Sequence, residues 1–201
     1  MKDKSAENFA AALAALRRGR VVVFPTETFY GLGADALDAA AVERVVALKG
    51  RNPDSPIAVI IADREMLAQI VDEVPAAADE LMRRFWPGPL TLVLPAKNGL
   101  PPALLSRDGK IGVRATSHPA AARLTRELGR PLTATSANLS GREPARTIAE
   151  ARVCFAGRVE FFFDGGTLAG KAGSTVAEVD ANGLKIIRAG AIASKELEKW
   201  L

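Results

Sequence analysis

Residues 21–62 read VVVFPTETFYGLGADALDAAAVERVVALKGRNPDSPIAVIIA, and their pattern decides the fold class. VVVF at 21–24 and IAVIIA at 57–62 are continuous apolar runs of strand length, the pattern of strands buried on both faces. Between them Asp38 can cap a helix that carries Val42, Val45 and Val46 and stops near Gly50. Strand, helix and strand in succession predict α/β layering.

Working outward, Ser5 can cap a helix with Phe9, Leu13 and Leu16 on one face, closed by Gly19. Asp63 and Pro75 begin two further helices, and LTLVLP at 90–95 is another strand. Ser117-His118-Pro119 reads as a helix start with Gly129 as its stop, and PLTATS at 131–136 follows as one strand. VEFFFD at 159–164, STVAEV at 174–179 and LKIIRA at 184–189 are separated by turns, which predicts antiparallel pairing among them. A short helix from Ser194 ends the chain. No linker composition or repeat interrupts this order, so residues 1–201 are expected to form one domain built on a twisted mixed parallel/antiparallel sheet with helices on its faces.

Composition narrows the function. Hydrophobic residues make up 48% and charged residues 25%, the proportions of an ordered globular protein. Cys154 and His118 are each the single residue of their type, so neither an internal disulfide, a zinc site of usual spacing nor a Cys/His nucleophilic pair is expected. Both fit packing or capping roles. No apolar run is long enough to cross a bilayer, and the polar start MKDKSAENF directs the chain neither to secretion nor to membrane, so a cytoplasmic protein is expected. A net charge of +4 permits an anionic partner, while 5% aromatic residues leave little for stacking on single-stranded nucleic acid.

Four segments carry candidate chemistry. PTETFYGLGADA at 25–36 follows a strand, where open α/β sheets bind ligands; its Gly31-x-Gly33-x-x-Ala36 lies too far beyond the strand for a dinucleotide fingerprint. GGTLAGKA at 165–172 imitates a phosphate loop, but Ala172 replaces the hydroxyl residue and a strand follows instead of a helix, so a lid or glycine-rich connection is the better account. KGRNPDSP at 49–56 places Lys49 and Arg51 where they serve either as surface charges at a helix end or as a grip on a polyphosphate. In PLTATSANLSG at 131–141, Thr135, Ser136, Asn138 and Ser140 are either turn formers or a ligand site, with Arg142 and Arg146 close behind. Arg114, ending KIGVRA, can clamp a carboxylate or make an ordinary ion pair.

PTETFYGLG, KGRNPDSPIAV, RFWPGPLTLVLP, IGVRATSHP, ATSANLSG and GSTVAEV, in this order, resemble the YrdC-like threonylcarbamoyl-AMP synthases of the TsaC family, in their short single-domain bacterial form. The resemblance spans roughly residues 10–190, and K-x-R followed by S-x-N is its most specific part. It implies a YrdC-like fold with a concave, basic cleft. It also implies condensation of L-threonine, bicarbonate and ATP to threonylcarbamoyl-AMP and pyrophosphate, for the t6A modification at position 37 of tRNA. By the same resemblance Lys49 and Arg51 stabilise phosphate charge, and they contact ATP together with Ser55, Lys110, Asn138, Arg146 and Arg188. Thr28, Arg114, Ser136 and Ser174 contact threonine, with Arg114 on its carboxylate. Mg²⁺ is expected through ATP, with no metal-ligating residue assigned. The implied partners are a downstream threonylcarbamoyl-transferase machinery and tRNA. The rival from another class is a non-catalytic RNA-binding module using the same cleft.

Overall fold

A computed structural model describes residues 4–50, 55–180 and 183–201, with the side chains of residues 4–6 outside the description. Helix α1 (Lys4–Arg17) buries Phe9, Ala12, Leu13 and Leu16 on one face, the spacing of a helical stripe, and Gly19 ends it in the left-handed region. The proposed cap Ser5 lies among the side chains not described. Strands β1 (Val22–Phe24) and β2 (Gly31–Gly33) pair antiparallel around the PTETFY loop. Both are wholly buried. Gly33 is required there, because a Cβ would sit 2.6 Å from the Phe24 ring. Helix α2 (Ala39–Lys49) begins at Asp38, whose side chain accepts from the Ala41 amide, and ends at left-handed Gly50, as the sequence predicts.

Strand β3 (Val59–Ile61) is followed by a 3₁₀ helix (Arg64–Gln69) capped by Asp63, where a helix is expected, and then by helix α3 (Ala76–Phe85). Strands β4 (Leu90–Pro95) and β5 (Lys110–Ala115) run antiparallel, and α4 (Pro119–Leu128) stops at left-handed Gly129. Next come β6 (Leu132–Thr133), β7 (Thr135–Ser136), α5 (Ile148–Phe155), β8 (Phe161–Phe162), β9 (Thr175–Asp180), β10 (Gly183–Arg188) and α6 (Ser194–Glu198).

The mixed α/β architecture agrees with the sequence, but the strands form two sheets where one was expected. Their orders are β7-β2-β1-β8 and β10-β9-β4-β5-β3-β6. PLTATS causes the division. Leu132–Thr133 extends the larger sheet beside β3, Ala134 turns, and Thr135–Ser136 extends the smaller one beside β2. VEFFFD also departs from expectation: only Phe161–Phe162 is strand, and it lies parallel to β1 in the smaller sheet rather than antiparallel to its sequence neighbours. β9 and β10 do pair antiparallel, with β9 parallel to β4.

Strand alternation in the larger sheet separates core from cavity. Leu90, Leu92 and Leu94, Ile111, Val113 and Ala115, and Ala177 and Val179 face the main apolar core. Thr91 and Val93, Lys110, Gly112 and Arg114, and Ser174 and Val176 line the opposite side, toward a cavity. A second apolar cluster packs α1 and α4 against Val22, Phe24, Ile60 and Leu132.

Candidate active site

The cavity lies between the two sheets and measures about 880 Å³, within the ordinary size of a small-molecule site. Among the residues described, its lining includes Lys49, Lys110, Arg114 and Arg188 and no carboxylate.

Lys49 joins the two segments singled out in the sequence. It stands on the last turn of α2, is 4% exposed, and turns its ammonium inward. Nζ donates to the Ser136 carbonyl at 2.6 Å, the Asn138 carbonyl at 2.8 Å and Asn138 Oδ1 at 2.6 Å, with Ser136 Oγ at 3.3 Å. Ser136 Oγ also donates to Asn138 Oδ1 at 2.6 Å, while Asn138 Nδ2 donates to the Arg142 carbonyl. Ser140 Oγ completes the clasp at the Lys49 carbonyl, 3.2 Å away. A buried ammonium must be satisfied by acceptors, and here they come from the S-A-N turn.

Arg114 ends β5 with its side chain 7% exposed. Nη1 donates to Glu27 Oε1, while Thr116 Oγ1 donates to Glu27 Oε2 at 2.7 Å. Burial draws the Arg114 pKa below its ordinary value, and the charge of Glu27 opposes the shift. Arg188 is drawn down as well, first by desolvation and then by the charge of Arg114. Nη2 of Arg188 donates to the Ser174 carbonyl at 2.8 Å and to Ser174 Oγ at 3.1 Å, and Thr91 Oγ1 donates to the same hydroxyl at 2.8 Å. Two guanidiniums therefore face one region, an arrangement that favours an anion between them.

Lys110 is bound by Glu178 and by Asp108, the latter at 2.8 Å. The Asp108 bond is the first cause and the Glu178 bond the second of its raised pKa, and Lys110 in turn holds Asp108 down at about 2.

The glycine-rich connection 165–173 is pinned over the PTETFY loop. Tyr30 is fully buried; its hydroxyl donates to the Gly166 carbonyl at 2.7 Å and accepts from the Gly165 amide at 2.9 Å. Desolvation, as the first cause, raises the Tyr30 pKa. The Leu168 amide donates to the Arg146 carbonyl at 2.9 Å, and Arg146 Nε returns a bond to the Leu168 carbonyl at 3.2 Å. Strand β9 follows, so no helix N-terminus is available to bind phosphate in the manner of a P-loop.

The family model of the Sua5, YciO and YrdC proteins, described as "Telomere recombination", matches residues 14–190. The chain belongs to this family. A threonylcarbamoyl-AMP synthase of Pyrococcus abyssi is 39% identical over 184 residues, covering 92% of this chain and 54% of the archaeal protein. A threonylcarbamoyl-AMP synthase of Thiobacillus denitrificans is 46% identical over 147 residues, 73% of this chain and 78% of that one. The crystal structure of P. abyssi Sua5 complexed with L-threonine superposes with a TM-score of 0.93 at 36% identity, covering all of this chain and 59% of the other. The chain thus spans little more than half the length of its archaeal relative.

Within this Sua5/YciO/YrdC fold, Thr28, Lys49, Ser55, Lys110, Arg114, Ser136, Asn138, Ser174 and Arg188 all border the cavity. Arg51 lies outside the described residues. Arg146, expected at ATP, is exposed and absent from the cavity lining; in this structure its guanidinium anchors the connection at Leu168. Cys154 is half-buried against the core. His118 occupies the N-cap position of α4 without a side-chain cap bond, and its buried Nδ1 has no described partner. The sequence reading assigned no role to Glu27, Thr116, Thr91 or Tyr30. Glu27 is visible as the one acid of PTETFYGLG, but nothing local reveals that its partner is 87 positions away. Among the described residues no three His, Cys, Asp or Glu side chains gather as a metal site, and no helix is long and apolar enough to cross a membrane.

Proposed function

We propose that this chain is an L-threonylcarbamoyladenylate synthase, condensing L-threonine, bicarbonate and ATP. The observation that carries the proposal is the joining of the K-x-R and S-x-N segments through Lys49, opposite the Arg114–Arg188 pair, in one cavity. The names of the relatives support it.

Threonine's amine and bicarbonate give a carbamate and water. A carbamate oxygen then attacks the α-phosphorus of ATP, and pyrophosphate leaves with the bond pair. The nucleophile is supplied by substrate, so the protein's work is to position anions and stabilise charge. Arg114 takes the threonine carboxylate. Thr26 Oγ1 donates to the Phe29 carbonyl at 2.7 Å, so its 3.0 Å contact with Thr28 is donated by Thr28, whose oxygen is left to accept from threonine's hydroxyl. Ser136 and Ser174 border the same region. Arg188, Lys110, Ser55, Asn138 and Arg51 serve ATP, and Lys49 holds the S-A-N turn against it. Arg146 reaches ATP only if its tether to Leu168 rearranges. Mg²⁺, when bound, would arrive on the nucleotide's phosphates, and no step above is routed through it. The unstable product then passes to a transferase that modifies tRNA.

Mass-spectrometric detection of threonylcarbamoyl-AMP tests the reading. Product carrying ¹³C from labelled bicarbonate is expected only when threonine, ATP and bicarbonate are all supplied; AMP formation without labelled product would contradict it.

A further inference from the structure

The Arg114 guanidinium is buried beside a second one, Arg188, at the cavity wall. Such a group keeps its orientation only if something opposes its charge and fixes its plane. Glu27 meets both requirements. Its side chain is 14% exposed, Oε1 accepts from Arg114 Nη1, and Oε2 accepts from Thr116 Oγ1 at 2.7 Å. Thr116 is fixed in turn, since its oxygen accepts from the His118 amide at the start of α4 at 3.2 Å. A directed chain therefore runs from a helix end to the cavity: His118 amide to Thr116 hydroxyl to Glu27 carboxylate, with Arg114 donating back from the other side. Only one Arg114 nitrogen is committed to Glu27 among the described bonds, and the remaining donors of the fork are available to a ligand.

We infer that Glu27 is a positioning residue of the amino-acid subsite, holding Arg114 so that its remaining N–H groups meet a substrate carboxylate in bidentate geometry. This inference rests on the reading of Arg114 as the carboxylate clamp. Glu27 touches no reacting atom; it acts through Arg114, so its loss falls on amino-acid binding and spares the nucleotide.

Glu27→Gln is the informative change, because the amide oxygen can still accept from Arg114 while the amide nitrogen donates to Thr116 Oγ1, conserving shape and removing charge. The expected result is a threonine KM raised about tenfold or more, as for loss of a charge-assisted bond, with the ATP KM and saturated kcat changed by less than about threefold. Thr116→Val, which leaves the charge but removes one anchor, is expected to shift the threonine KM the same way by a smaller factor, and it carries the test if Glu27→Gln does not fold. Equal changes in both KM values, or none, would overturn the role of Glu27. Calorimetric titration of L-threonine separates this from failure of the synthase reading. A wild type that binds threonine without turning it over defeats only the synthase reading, and Glu27 is then judged by whether the variant binds threonine about tenfold more weakly. A wild type that binds no threonine overturns both.

Discussion

At the scale of single residues, Gly170 shows how tightly the glycine-rich connection is built. An ideal Cβ there would stand 1.8 Å from the Thr28 carbonyl oxygen, and backbone cannot give way as a flexible side chain can. Gly170→Ala should therefore displace Thr28, raising the threonine KM several-fold and lowering the melting temperature; kinetics and melting indistinguishable from wild type would show that the contact is dispensable. His118 makes a second residue-scale prediction. Burial holds its pKa below the ordinary 6.5, the charge of Glu27 partly opposing the shift. Unfolding restores the ordinary value, so between the two values the unfolded chain binds more protons. The His118 contribution is complete above 6.5 and is lost as pH falls through 6.5 toward the folded value. His118→Gln should flatten the decline in melting temperature between about pH 7 and about pH 5; an unaltered slope would contradict it. Residues of this kind divide by how local their signal is. Arg114 is legible from its place at the end of the strand KIGVRA, and in the structure it lies on the face opposite Ile111, Val113 and Ala115, whereas Glu27 and Tyr30 depend on partners brought together only by the fold.

Among the elements, α2 links fold to site most directly. Asp38 begins it and Gly50 ends it, so the register that carries Lys49 inward is set by two local signals visible in sequence. Asp38→Ala should cost about 1 kcal/mol of stability, read from urea unfolding, as for loss of a helix cap. Lys49→Ala should leave the fold intact, accelerate amide exchange at residues 136–140, and lower turnover by about 10²-fold, the scale of a lost charge-organising group. Unchanged exchange together with wild-type turnover would refute the clasp. The strand 131–136 marks the limit of sequence reading. Its apolar and hydroxyl residues suit either sheet, and only the pairing of Leu132–Thr133 with β3 and of Thr135–Ser136 with β2 reveals that it crosses between them. The same limit applies to VEFFFD, where only Phe161 and Phe162 form a strand, although the Phe163 amide still donates to the Val23 carbonyl at 2.8 Å and its ring packs into the α1–α4 cluster.

Across the whole molecule, two sheets are joined by one crossing strand, and the groups that would bind substrate come from both. Thr28, Ser136 and Asn138 belong to the smaller sheet or its loops, while Lys110, Arg114, Ser174 and Arg188 belong to the larger or its edges. In the proposed reaction, amino acid and nucleotide would thereby be brought together without a protein nucleophile. The most direct measurement of this account is pyrophosphate release by the purified chain, with threonine, bicarbonate and ATP each omitted in turn. The account predicts release only in the complete mixture. Release that persists without threonine, or that never occurs although all three substrates are present, would contradict it.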